Sequence, residues 1–123
     1  MFMNDVCMDA STYQVLLGSI LGDGCITKNT KKCKNYCFKE MHGPEQREYV
    51  AWKGEMLKQL GTIVCGKTRP ELFTKTMPYF TKLRELVYGN KAEKNRLPDD
   101  LFQSTDALGL LVWFLDDGTW QQG

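Results

Sequence analysis

Two stretches of the chain end on the same pair of residues, an aspartate followed by a glycine. They are LLGSILGDG at residues 16–24 and LLVWFLDDG at residues 110–118. Each apolar run is typical of a buried helix, and the Asp-Gly pair marks its end. Because the C-terminal end of a helix carries partial negative charge, a carboxylate there costs about 0.3–1 kcal/mol. The placement of Asp23 and Asp117 at such ends therefore indicates that a cation binds near them.

A single pair of this kind is most simply explained as a helix end followed by an ordinary turn. Two pairs on matching helices make that explanation much weaker. Gly18 and Gly22 are four residues apart and so share one face of the first predicted helix. Since they lack side chains, another backbone can approach that face closely, although generic close packing would use the same glycines.

The composition is ordinary for a soluble domain, but the charge is unevenly distributed. The 123 residues are 42% apolar and 25% charged with a net charge of +1, which suits one domain over residues 1–123. Basic residues concentrate in residues 24–39 and 62–84. The candidate nucleic-acid contacts are Lys28, Lys31, Lys32, Lys34, Lys39, Lys67 and Arg69. A nearly neutral chain can therefore present one basic face.

The cysteines argue against an extracellular protein held by disulfides. There are five, an odd number, and the first residues carry no secretory signal, so we expect reduced thiols in a cytoplasmic or organellar compartment. Their spacing does not favour zinc, because no CxxC pair occurs and His42 is the only histidine. No apolar run approaches the ~20 residues needed to span a membrane, so no membrane partner is expected.

Periodicity and turn residues predict an α+β fold. We expect a helix over residues 12–22 that begins with a capping box of Ser11 and Gln14. The predicted order after it is strand, strand, helix, strand, strand, helix, and then one more apolar helix. The strands are expected at residues 25–28, 33–41, 63–67 and 71–76. They suit one four-stranded antiparallel sheet, with helices on one face and basic side chains on the other.

The last helix is expected over residues 106–116, with Ser104 or Thr105 as its cap. The aromatic residues Tyr36, Phe38, Trp52 and Phe114 are expected in the core, and His42 is expected in a turn.

The sequence resembles one known family. LLGSILGDG is similar to the signature nonapeptide of the LAGLIDADG homing endonucleases, and VWFLDDGTW at residues 112–120 resembles the second motif in one branch of them. The segments between follow the family's order, with a basic stretch, a helix such as YVAWK at residues 49–53, and a proline before Leu101. Two motifs at this separation are far more specific than either alone.

The resemblance implies an αββαββα homing-endonuclease-like unit over residues 10–103 and a second signature helix over residues 104–118. The sheet would form half of a saddle over DNA. The two signature helices would pack side by side, with Gly18 and Gly22 at the contact. Leu111 stands where the family has a smaller residue and is expected to widen that contact.

The resemblance also implies the catalytic groups. Asp23 and Asp117 would be the catalytic pair and would hold Mg²⁺ or another divalent cation, together with the backbone carbonyls of Gly22 and Asp116. The family has a lysine just before the proline of its last loop. Lys94 is the candidate for this catalytic position, and Arg96 is the alternative.

The implied activity is metal-dependent, site-specific cleavage of double-stranded DNA, which in the family promotes intron or intein mobility. The alternative is a non-catalytic nucleic-acid-binding module of the same fold, such as a maturase on intron RNA or a DNA-binding regulator; a decayed element is a third possibility. Two-motif relatives continue with a second αββαββα set, whereas this chain ends at residue 123. We therefore expect a missing C-terminal half or a second copy of the chain as partner.

Overall fold

Alternating helices and strands form an α+β fold in the computed structural model, which describes residues 8–89 and 103–117. The elements in chain order are α1 (Ala10–Leu21), β1 (Cys25–Thr27), β2 (Cys37–Met41), α2 (Arg47–Met56), β3 (Ile63–Cys65), β4 (Glu71–Phe73), α3 (Pro78–Tyr88) and α4 (Ala107–Asp117). Short 3-10 turns at Pro44–Gln46 and Lys58–Leu60 flank α2. The predicted fold class is confirmed, and the elements of the described residues follow the predicted order.

The four strands form one antiparallel sheet in the order β1-β2-β4-β3. The central pair is in register with Lys39 opposite Phe73 and Glu40 opposite Leu72. β2 begins at Cys37, later than predicted, because the residues before it form a turn in which Cys33 N donates to Thr30 O at 3.1 Å. The strands are short, so the loops between them supply much of the surface at the ends of the sheet.

One face of the sheet holds the core. Ile26, Phe38 and Leu72 point inward from three strands and join a cluster with buried residues of α1, α2 and α3. Alternation along the strands places Lys39 and Met41 on the opposite face. The sheet is therefore covered by helices on one side, as predicted.

The start of α1 differs from the prediction. Asp9 is its N-cap, and Asp9 Oδ1 accepts a hydrogen bond from Thr12 N at 3.0 Å. The predicted capping box of Ser11 and Gln14 is wrong, because the Gln14 side chain bonds to residues before α4 and not to the start of α1. Its Nε2 donates to Ser104 O and its Oε1 accepts from Asp106 N, both at 2.8 Å. A side chain used to join α1 to the start of α4 was thus mistaken for a local cap.

The cap of α4 is also a different residue. Asp106 Oδ1 accepts from Leu108 N at 3.0 Å and from Gly109 N at 3.3 Å, so neither Ser104 nor Thr105 fills that role. Two aromatic assignments are wrong as well, since Trp52 and Phe114 are exposed. Each lies on the outer side of its helix, where helical periodicity alone does not identify the buried face.

Two further expectations concern the environment of the chain. Within the described residues, no helix combines the length and apolar character that a membrane crossing requires. The described cysteines, Cys25, Cys33, Cys37 and Cys65, are free thiols.

Candidate functional site at the two Asp-Gly helix ends

α1 and α4 pack against each other at positions that lack room for a side chain. A Cβ atom built on Gly18 would lie 2.3 Å from the Gly109 carbonyl oxygen and 2.8 Å from Val112 Cβ. One built on Gly22 would lie 2.5 Å from Asp116 Cβ. When the two motifs are aligned on their Asp-Gly pairs, Gly18 corresponds to Val112 and Gly22 to Asp116. Equivalent positions of the two helices therefore face each other, as expected about a pseudo-twofold axis.

Leu111 does not widen this contact. Its side chain is half exposed, and the neighbours of Gly18 on α4 are Gly109 and Val112. The expectation that Leu111 separates the helices is therefore wrong, because Leu111 lies on a different face of α4 from the one that meets α1.

Asp23 lies just beyond the end of α1, at the point where the two helices meet. The turn after the helix is closed by a hydrogen bond from Gly24 N to Ser19 O at 2.8 Å. Asp23 N donates to Asp116 Oδ2 at 3.4 Å, so the backbone of one helix end contacts a side chain of the other. The Asp23 side chain is 46% exposed, with Oδ2 3.9 Å from His42 Nδ1. Its carboxylate is thus accessible to a ligand.

The second Asp-Gly pair is preceded by an acid with a different environment. Asp116 is buried, and its carboxylate faces the interior. Asp117 is the final residue of α4. The side chain of Asp117 and the residues Lys94 and Arg96 lie outside what the structure describes.

A buried lysine stands between the acids of this region. Lys53 Nζ donates to Glu40 Oε2 at 2.6 Å and to the two carboxylate oxygens of Asp116 at 2.7 and 3.0 Å. Tyr49 OH donates to Asp116 Oδ1 at 2.6 Å. His42 Nε2 lies 2.5 Å from Glu40 Oε2. These five residues, from β2 and its end, α2 and α4, are called the Lys53 cluster below.

The pKa shifts in the Lys53 cluster follow from burial and close charges. Burial would lower the pKa of His42, but the hydrogen bond and charge of Glu40 outweigh it and raise the pKa above the ordinary histidine value. Burial would raise the pKa of Glu40, yet His42 and Lys53 together hold it below its usual range. Burial raises the pKa of Tyr49, which therefore remains a neutral hydroxyl that donates to Asp116.

The same residues have the donor types of a metal site. One ligand atom each from Glu40, His42 and Asp116 can be chosen so that all three lie within 4.8 Å of one another. However, the ammonium of Lys53 already contacts both carboxylates at hydrogen-bond distance. A lysine therefore occupies the position that a cation would take, so we do not assign a metal to these three residues.

The basic candidates lie mainly in loops at opposite ends of the sheet. Lys28, Lys31, Lys32 and Lys34 follow β1, and Lys67 and Arg69 lie between β3 and β4. Lys39 is the one basic residue within the described strands; its Nζ is 3.6 Å from Glu71 Oε2. The expectation that the open face of the sheet carries the basic side chains therefore holds for Lys39 alone.

The loop after β1 frames an open depression of about 400 Å³. Lys28 Nζ lies 5.0 Å from the ring centroid of Tyr36, and Arg84 of α3 lies over the same ring at 5.1 Å. Arg84 also donates to Ile26 O, which ties α3 to β1. Tyr36 is half-buried here, so its expected place in the core is only partly correct. The depression is lined by polar and cationic side chains and by the aromatic ring of Tyr36.

The sequence did not single out the Lys53 cluster. Two signals were present: Glu40 alternates with the buried Phe38 along β2, and Lys53 follows Val50 on the buried side of α2. Charged residues at apolar positions of a helix and a strand indicate a buried ion pair when both are noticed together. His42, expected in a turn, does follow β2, but it is buried and bonded to Glu40.

Comparison with known proteins gives one family. The model of the LAGLIDADG DNA endonuclease family matches residues 13–123. The solved structure of the homing endonuclease I-WcaI bound to its DNA recognition sequence matches with a TM-score of 0.67 and 20% identity. That match covers 94% of this chain and 55% of the solved chain, and at this identity it establishes the fold alone.

Curated relatives carry the name Protein RecA. Those from Mycobacterium shimoidei and Mycolicibacterium fallax are 28% and 31% identical over 109 residues. Each match covers 87% of this chain and 26% of the relative. The chain thus spans about a quarter of the length of these relatives.

Proposed function

The chain belongs to the LAGLIDADG DNA endonuclease family, and on that premise we propose that it is a unit of a metal-dependent, site-specific double-strand DNA endonuclease. The observation that carries the proposal is the meeting of the two Asp-Gly helix ends, with Gly22, which follows α1, against Asp116 of α4. At that meeting point Asp23 offers a half-exposed carboxylate. Two acids with equivalent positions in their motifs would then face the same stretch of bound DNA.

The cation ligands in this proposal are the carboxylates of Asp23 and Asp117 and the backbone carbonyls of Gly22 and Asp116. An all-oxygen donor set suits Mg²⁺, and the partial negative charge at the C-terminal end of a helix favours a cation there. The buried Asp116 carboxylate is not a ligand, because Lys53 and Tyr49 engage its oxygens. A bound divalent cation would polarise the phosphate and lower the pKa of an attacking water. Lys94, or Arg96, would stabilise charge on the phosphate.

The DNA-binding surface in this proposal consists of the basic loops and Lys39. Lysine and arginine side chains contact phosphate oxygens, and a two-stranded ribbon fits the major groove, where side chains can also reach base edges. The depression between Lys28, Arg84 and Tyr36 would receive the DNA backbone at one end of the sheet. Binding should therefore weaken steeply as salt rises.

The exposed face of α4 is proposed to receive a second αββαββα unit. Leu110, Leu111 and Phe114 form this apolar face. This chain covers 55% of the solved homing endonuclease chain, so that chain is long enough to hold another unit of similar size. Sedimentation tests the choice. A concentration-dependent dimer that Phe114→Ser abolishes would assign the face to a second copy of this chain instead.

The decisive experiment is cleavage of a library of randomised double-stranded DNA, with Mg²⁺ and with a chelator. We expect Mg²⁺-dependent cutting that Asp23→Asn reduces by at least about 100-fold, because even partners of metal ligands cost 10–100-fold when lost. Asp9→Asn is the matched control, since Asp9 is an acid at the opposite end of α1. Cutting that is unaffected by Asp23→Asn would contradict the proposal.

The same material tests the alternative function. Salt-dependent DNA or RNA binding that ignores Mg²⁺ and survives loss of both Asp23 and Asp117 would identify a non-catalytic binding module. The basic loops support either outcome, whereas the paired helix ends support catalysis. The match to about a quarter of the RecA-named relatives suits a unit inserted in a longer protein, as in an intein.

A further inference from the structure

Lys53 has no exposed surface, yet it carries a charged group with three donors. Its three closest partners are Glu40 Oε2 and both oxygens of Asp116, at 2.6 to 3.0 Å. The three residues belong to three different elements, because Lys53 lies on α2, Glu40 on β2 and Asp116 on α4. One side chain thus joins the sheet, a covering helix and the end of the second signature helix.

Asp116 stands at the motif position that Gly22 occupies in α1. An extra carboxylate at a helix end is unfavourable unless it is neutralised. Lys53 and Tyr49 bind the Asp116 oxygens on the interior side, and Asp23 N approaches Oδ2 at 3.4 Å. The Asp116 carboxylate therefore connects the interior to the backbone of the exposed Asp23.

We propose that Lys53 is a positioning residue that fixes the two Asp-Gly helix ends relative to each other. The Lys53 ammonium holds the Asp116 carboxylate in the interior and so fixes the position of the end of α4. Because Asp116 Oδ2 accepts from Asp23 N, Lys53 also fixes the position of the Asp23 backbone. The expected effect of Lys53 on cation binding at Asp23 and Asp117 rests on the proposed function. Its effect on the position of the helix ends does not depend on that function, so the two effects can be tested separately.

A purely structural role makes a different prediction. If Lys53 serves only to neutralise Glu40 and Asp116, then removing all three charges should restore everything that removing Lys53 alone disturbs. If Lys53 positions the helix ends through its contacts, the neutral combination should restore folding without restoring the geometry. Lys53→Met and the triple variant Lys53→Met with Glu40→Gln and Asp116→Asn separate the two roles.

The measurement is NMR of the whole chain, using backbone amides at residues 22–24 and at 117–118 of the two helix ends. Without metal, we expect Lys53→Met and the triple variant to shift these amides, while the triple variant regains most of the unfolding midpoint. Lys58→Met is the control, because Lys58 is an exposed lysine just after α2 that pairs with the exposed Glu55 at 3.5 Å. It should leave the amides unchanged. Should Lys53→Met fail to fold, the triple variant carries the test.

Mn²⁺ added to the same samples gives the second measurement. In the native chain, amides of both helix ends should broaden together, and in the triple variant the required Mn²⁺ concentration should rise at least about tenfold. Native amide positions and native Mn²⁺ response in the triple variant would overturn the positioning role. Absence of broadening in the native chain would instead overturn the proposed metal site, with the metal-free shifts still deciding the role of Lys53.

Discussion

α1 and α4 carry the same sequence pattern but occupy different environments. Leu17 and Leu111 are equivalent positions of the two motifs, and they are 2% and 50% exposed. Ile20 and Phe114 are likewise equivalent, at 1% and 55%. The first signature helix is buried on nearly all sides, whereas the second buries mainly the stripe of Gly109, Val112 and Asp116, which meets α1 and, through Asp116, also α2.

The difference arises from what surrounds each helix. The apolar residues of α1 join a core with the sheet and with α2 and α3. α4 meets α1 through Val112 and Asp116, at the positions where α1 has Gly18 and Gly22. An apolar run thus specifies a helix that can be buried on every side, while the number of faces actually covered depends on the units packed around it.

The largest effect is expected from equivalent truncations in the two helices. Leu17→Ala should lower the free energy of unfolding by about 2–5 kcal/mol, because it removes fully buried methyl groups and leaves a cavity. Leu111→Ala should change it by less than about 0.5 kcal/mol, since half of that side chain already contacts solvent. Urea denaturation at low protein concentration measures both. Equal losses would mean that α4 is covered in solution, and the comparison between the helices would fail.

A smaller effect is expected where the helices touch. Gly18→Ala should cost about 1–3 kcal/mol, because the new methyl group would meet the Gly109 carbonyl oxygen at 2.3 Å and the helices must separate. Adding Val112→Ala should not rescue it, since the nearest atom belongs to the Gly109 backbone. The measurement is again urea denaturation. Helix propensity alone would make Gly18→Ala stabilising. A gain in stability would therefore mean that the two helices lie farther apart in solution than the contact at Gly18 implies.

The helices, the strands and their order could be predicted from local signals, because periodicity and turn residues act over a few neighbours. Asp23 could be singled out for the same reason, as a carboxylate at the end of an apolar helix. The role of Gln14 could not, because its partners are 90 and 92 residues away along the chain. A local pattern at Ser11 and Gln14 favoured a cap that the long-range contact overrides.

The Lys53 cluster was hidden for a related reason. A lysine beside Val50 in a helix resembles a solvated surface lysine until its partners are known, and Asp116 is 63 residues away. The exposure of Phe114 could not be predicted either, since an aromatic residue in an apolar run is buried only if another element packs over it. Local chemistry therefore predicted the helix ends, while the network between them required the fold.

The smallest effect concerns the start of α1, where the hydrogen bond to Thr12 N is the main cause that holds the pKa of Asp9 below its ordinary value of 3.8. A carboxyl group with a lowered folded-state pKa stabilises the protein above its unfolded-state value, and that contribution is lost as pH falls through the folded-state pKa. Asp9→Ala should therefore lower the unfolding midpoint at neutral pH, and the gap from the native chain should close in acid. Asp9→Asn, which keeps a capping oxygen without charge, should show a smaller gap at neutral pH, and that gap should also narrow in acid because the titrating group is the native Asp9. Thermal unfolding between neutral and strongly acid pH decides it. A gap for Asp9→Ala that stays constant throughout would mean that the charge of Asp9 adds nothing to the stability of the protein and that only its capping oxygen matters.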